Sequence, residues 1–114
     1  MKTHRLVMPG DLNQFGYLFG GKMLSWVDEA CWIAASLDYP DCQFVTVGMN
    51  KVEFHHGVNE GVILEIDCQR CSKGETSVTY AVEVNQNSVD NSAPIFSTQV
   101  TFVNVDADGC KRSI

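Results

Sequence analysis

The chain has 114 residues, 45% of them apolar, and a formal charge of −6 from fourteen acidic against eight basic side chains. That length fits a single domain, residues 1–114, with its own core. The charge balance excludes a nucleic-acid surface, which needs clustered Lys and Arg, and no apolar run approaches the ~18–20 residues of a membrane span. The first residues lack the apolar segment of a secretory signal, so the cytoplasm is the expected compartment. Five cysteines, an odd number, favour free thiols over a disulfide framework. Cys68 and Cys71 form a lone C-x-x-C inside a strand pattern, where positions three apart face opposite ways. No second Cys or His pair completes a zinc ligand set, so neither a metal nor a redox role is expected of that pair.

Residues 5–8 read as a short extended start, closed by Pro9-Gly10. Residues 11–16 are a loop rich in turn formers. From 19 to 37 the pattern is helical, roughly 28 Å long at 1.5 Å per residue. Tyr39-Pro40-Asp41 ends it, because proline disfavours helix for the residue before it. Lys22, Ser25, Glu29 and Ser36 form a polar stripe within about 60° of one another. The rest of the helix is apolar, as in a helix largely enclosed by protein. Asp28 lies roughly 80° off the stripe, beside Leu24, Cys31, Trp32 and Ala35. A carboxylate in such company is paired or used.

Strand patterns follow at 43–54, 61–71, 76–84 and 94–105, with a polar loop at 86–93 and a polar tail opening at 106–109. Val62, Leu64, Ile66 and Cys68 share one face of the second, and Val78, Tyr80, Val82 and Val84 one face of the third. Regular alternation with short links gives antiparallel neighbours. A curved antiparallel sheet around one long helix buries that helix, an α+β fold.

The string PGDLNQFGYLFGG from Pro9 to Gly21, followed by Trp26-Val27-Asp28-Glu29-Ala30, resembles the signature of hotdog-fold acyl-CoA thioesterases. The similar branch is the bacterial short-to-medium-chain type, shared with cytosolic acyl-CoA hydrolases of animals. The similarity continues in Val45-Thr46-Val47, in Val52-Glu53-Phe54-His55, in Lys73-Gly74-Glu75-Thr76-Ser77-Val78 and in Thr101-Phe102-Val103. The resemblance implies a hotdog fold in a homodimer whose sheets join edge to edge, often assembled further as a trimer of dimers. It implies hydrolysis of acyl-CoA to fatty acid and CoA, with no cofactor beyond the coenzyme A of the substrate. Asp28 and Asn13 stand at the positions of the catalytic Asp and of the Asn that meets it from the partner's loop. One departure is Phe54-His55-His56-Gly57, where the family's F-x-x-P segment ends in proline.

Thioester hydrolysis needs an activated water or a nucleophile, a place for the oxyanion, and a hold on CoA. Asp28 fits the first as general base or as nucleophile. Gly20 and Gly21 begin the helix, where unpaired N–H groups and the helix dipole make an oxyanion hole; the bland alternative is close packing. Asn13 orients water or carbonyl, or else caps its own loop as an Asx-turn. Lys73, Thr76 and Ser77 offer a cation and two hydroxyls to pantetheine or phosphate, or are a solvated hairpin end. Of His55 and His56, at most one should line the site, since successive strand residues face opposite ways. Phe15, Phe19, Trp26 and Trp32 are expected in the core and the acyl-pocket wall.

Four other readings compete with this one. Gly16 to Met23 is a near miss to the P-loop, but Met23 replaces the hydroxyl that binds magnesium. A hotdog dehydratase normally uses a His with a carboxylate, and residues 11–35 hold no His. A thioesterase for another acyl carrier shares the fold, as does a non-catalytic acyl-CoA-binding regulator, which is separated from a hydrolase by turnover.

Overall fold

A computed structural model describes residues 1–86 and 94–114; most of the loop expected at 86–93 lies outside the described residues. The order of elements is β1 (Lys2–Leu6), a 3-10 turn (Pro9–Asp11), α1 (Gly20–Asp38), β2 (Phe44–Phe54), β3 (Ile63–Lys73), β4 (Ser77–Gln86) and β5 (Phe96–Asn104). The strands form one antiparallel sheet in the order β1-β3-β4-β5-β2. This is the α+β arrangement the sequence predicts. The helix packs on one face of the sheet.

Period-two patterning decides that face. Leu64, Ile66 and Cys68 of β3, Val78, Tyr80, Val82 and Val84 of β4, and Phe96, Val100 and Phe102 of β5 are buried. They meet Met23, Trp26, Val27, Ala30, Cys31, Ala34 and Ala35 of α1 in one core. The C-terminal half of that helical face is small residues, which lets the aromatic side chains of β4 and β5 fill the space beneath it. Tyr80 is held there by a 2.5 Å hydrogen bond from its hydroxyl to Asp38 at the helix end. The helix stops at Tyr39, whose N–H still bonds to the Ala35 carbonyl, immediately before Pro40.

The expectation of a helix enclosed on nearly all sides is corrected within one chain. Trp32 is 45%, Ile33 39% and Leu37 69% exposed. Five strands cover one face of a helix, and a second apolar face of α1 is left bare. Phe15 and Phe19, expected in the core or a pocket wall, are also largely exposed. Apolar patterning reports burial but not which chain provides it. The edge strand β2 carries the same signature, with Val45, Val47, Val52 and Phe54 all exposed. Breaks in its pairing with β5 fall between Thr46 and Gly48 and between Asn50 and Glu53, the kind of irregularity that bends a strand.

Candidate active site

The loop before α1 is tied down by Asp11. Its carboxylate accepts the Met8 N–H at 2.9 Å, its carbonyl accepts the Phe19 N–H at 2.9 Å, and Lys22 lies 3.7 Å from it. Asn13 closes the tip. Its Oδ1 accepts the N–H groups of Phe15 at 2.9 Å and Tyr17 at 3.1 Å, around Gly16 at φ +86°, a conformation that favours glycine. The Asx-turn role of Asn13 is therefore real. It occupies only the carboxamide oxygen: among the described residues, no bond is donated by the Asn13 Nδ2.

The chain enters α1 through Phe19, whose carbonyl accepts from Lys22 and Met23. No side chain caps the helix, so the Gly20 and Gly21 amides remain open donors at its positive end. Packing does not demand glycine at either position. An added Cβ would meet only the Phe54 ring at Gly20, or the Phe19 ring at Gly21, each no closer than 3.4 Å. That weakens the close-packing alternative.

A cavity of about 310 Å³ opens at this end, lined among others by Asn13, Tyr17, Gly20, Met23, His55 and His56. Both histidines line it, which corrects the expectation that at most one would. Strand β2 ends at Phe54, so the alternation rule no longer governs the pair. Gly57 replaces the family's proline, and the Tyr17 ring lies against it: a Cβ there would approach the ring within 2.9 Å. On the other side of the helix start, Phe19, Gly21, Lys22 and Ser25 line a second cavity of about 450 Å³.

Asp28 is half-buried two turns further along α1, where the Thr46 hydroxyl of β2 donates to its Oδ1 at 2.7 Å. Thr46 was not singled out by sequence reasoning, since no spacing rule foretells a bond between a helix and an edge strand. The bond fixes one carboxylate oxygen; among the described residues none is made to the other. Gly21 and Asp28 lie on one line of the helix, separated by roughly 10 Å along its axis. One thioester carbon cannot touch both, because each contact needs about 3 Å.

Lys73, Thr76 and Ser77 are not brought to the helix start. Their hairpin is at the end of the sheet away from the helix start, where Ser77 pairs with Val103, while Phe54 pairs with Phe96; it is the Thr46 end, since Thr46 and Val78 both pair with Phe102. Seven strand residues, roughly 23 Å, separate the two ends. The turn is internally satisfied, with Lys73 Nζ 3.4 Å from the Gly74 carbonyl and the Gly74 N–H on the Ser77 carbonyl at 2.8 Å.

The thioesterase superfamily model matches residues 15–91. An uncharacterized acyl-CoA thioester hydrolase of Buchnera aphidicola is 31% identical over 95% of this chain and 82% of its own. A hexameric hotdog-fold thioesterase of Campylobacter jejuni is similar with TM-score 0.86 and 36% identity, over 98% of this chain and 87% of that one. A hexameric broad-specificity acyl-coenzyme A thioesterase, crystallised as an aspartate-to-alanine mutant, has TM-score 0.86 and 26% identity, over 98% and 84%.

Proposed function

This chain belongs to the hotdog-fold thioesterase superfamily, and on that premise we propose that it is an acyl-CoA hydrolase whose active site is shared between two subunits. The enzyme cleaves the thioester of acyl-CoA to a fatty acid and coenzyme A. The observation that carries the shared site is the roughly 10 Å between the Gly21 amide and the Asp28 carboxylate of one helix. Each chain supplies two halves that cannot meet each other.

The course of β2 supplies a way to join them. It runs antiparallel to α1, with Phe54 against Gly20, Thr46 bonded to Asp28, and the Trp32 indole donating to the Phe44 carbonyl. It is also an exposed apolar edge strand, the kind of edge that adds another strand. Antiparallel pairing of β2 with its own copy, about a two-fold axis near its middle, sets the Thr46 end of one strand beside the Phe54 end of the other. Asp28 of one subunit then faces Asn13, Gly20 and Gly21 of its partner. The relatives described as hexamers support assembly beyond the dimer, as a trimer of dimers.

In that arrangement Asp28 takes a proton from water as general base, or attacks the carbonyl itself. Thr46 orients it. The Gly20 and Gly21 amides and the Asn13 carboxamide N–H groups receive the oxyanion, and its collapse expels the CoA thiolate. Phe19 and His55 border the substrate at the helix start. Lys73, Thr76 and Ser77, two strands across the sheet from Thr46, are left the distal, nucleotide end of coenzyme A. No described helix is long and apolar enough to cross a membrane. We place the enzyme in the cytoplasm, a reading supported by five free cysteines.

Hydrolysis of a series of acyl-CoA esters, followed by release of free thiol, tests the function; binding without release would replace the hydrolase by an acyl-CoA-binding regulator. Gly21→Ala tests the oxyanion site. An alanine fits the fold and favours the helix by up to ~1 kcal/mol, so its melting temperature should hold or rise. Its kcat should still fall about 10-fold or more, because the methyl group crowds the carbonyl's approach. Unchanged kcat would remove Gly21 from the site.

A further inference from the structure

Outside this site, one pair of reactive side chains is closely juxtaposed. Cys31 of α1 and Cys68 of β3 are both buried, and the Cys31 thiol donates to the Cys68 sulfur across 3.3 Å. Cys71, the nearest cysteine to Cys68 in sequence, is exposed, with its thiol on the Thr79 carbonyl. The C-x-x-C spacing therefore points to the wrong partner. Cys68 also lines a cavity of about 550 Å³ between the C-terminal half of α1 and the sheet, together with Ala34, Leu37, Asp38, Arg70 and Tyr80. Cys68 is otherwise 2% exposed, so that cavity is the approach a small oxidant would use.

We propose that Cys68 is a hydroperoxide-reactive thiol and Cys31 its resolving partner, so that oxidation ties α1 to β3 by a disulfide one helical turn from Asp28. The Cys68 thiolate attacks the peroxide O–O bond, forming Cys68 sulfenic acid; the leaving hydroxide takes up a proton as water. The Cys31 sulfur then attacks the sulfenic sulfur, an S–S bond forms, and a second water leaves with the Cys31 proton. Two thiols lose two electrons and one hydroperoxide gains them. The hydrogen bond from Cys31 holds the Cys68 thiol below the usual thiol range, while giving that bond and being buried push Cys31 up. With Cys68 and not Cys31 lining the cavity, this makes Cys68 the attacker and Cys31 the resolver.

Closing 3.3 Å to a disulfide of about 2.05 Å draws the sulfurs together by more than 1 Å. Part of that movement is taken by α1, which carries Asp28. Displacements of about 1 Å at a reacting group lower rates by up to ~100-fold. The bridge also closes the chain between residues 31 and 68, which restrains the unfolded state.

The test uses the full chain with Cys42→Ser, Cys71→Ser and Cys110→Ser, which keeps only the pair, alongside wild type. Each is treated with hydrogen peroxide, freed of oxidant, and compared before and after dithiothreitol. The expected result is a mass lower by about 2 Da and a peptide joining Cys31 to Cys68. The melting temperature should rise by ~5 °C or more, and turnover should fall about 10-fold, both reversed by dithiothreitol. Absence of the bridge, its mapping to another cysteine in wild type, or accumulation of Cys68 sulfinic acid instead would overturn the proposal. A bridged protein with full turnover would refute the restraint on Asp28. The turnover arm alone rests on the hydrolase reading: if the reduced protein has no turnover, that reading fails, while mass and melting still decide the bridge.

Discussion

Asp28→Ala should lower kcat on acyl-CoA by about 10²–10⁴-fold, the range expected for loss of a general base, while the protein folds and assembles as before. The carboxylate is half-buried and among the described residues accepts one hydrogen bond, from the Thr46 hydroxyl, so its removal orphans no other buried group there. Coenzyme A affinity should persist, because the groups proposed to hold CoA lie elsewhere. Thr46→Val keeps the carboxylate and removes its orientation. A hydrogen bond to a charged group contributes about 1.5–3 kcal/mol, so kcat should fall roughly 10–100-fold with KM little changed. Steady-state kinetics with free-thiol detection, beside a thermal melt, decides both. Equal turnover by wild type and Asp28→Ala would leave the fold standing and displace the carboxylate from the chemistry.

Converting both Val45 and Val47 to lysine should release monomers that retain their helix and sheet but hydrolyse acyl-CoA at least 100-fold more slowly, since a monomer keeps the two half-sites roughly 10 Å apart. Val47 is 58% exposed on the edge strand, and lysines on an edge oppose strand addition. Neither side chain is in the core of the single chain, so the loss follows from assembly, not from unfolding. Light scattering with circular dichroism separates the two. A folded monomer with full activity would contradict the shared site, as would a dimer unaffected by the lysines.

The elements were legible because their periods are clean. Helix and core strands follow the 3.6 and 2.0 repeats, and Pro40 and Gly74 punctuate them where expected. Asp28 stood out because a carboxylate off the polar stripe has no cheap structural explanation. Three things were hidden. The bare faces of α1 and β2 read as buried because an apolar side chain does not specify whether its own chain or another covers it. Thr46 was invisible as Asp28's partner because the contact joins a helix to an irregular edge strand. Asn13 supported two readings, and the structure realises the structural one with the oxygen while the nitrogen remains available. The resemblance, more than spacing, put Lys73, Thr76 and Ser77 with the substrate, and one chain leaves them at the far end of its sheet from the helix start, on the side of Thr46.

The shared site is tested most directly by subunit complementation. Asp28→Ala and Asn13→Ala chains, each inactive alone, are unfolded, mixed in equal amounts and refolded together. Random pairing makes half of the dimers mixed, and a mixed dimer holds one site with both residues intact, because the Asn13→Ala chain lends Asp28 and the Asp28→Ala chain lends Asn13. Activity should return to about a quarter of wild type, even if Asn13→Ala also loosens its own loop. A mixture as inactive as its components, with mixed dimers present by mass, would place Asp28 and Asn13 in the same subunit's site and contradict the account.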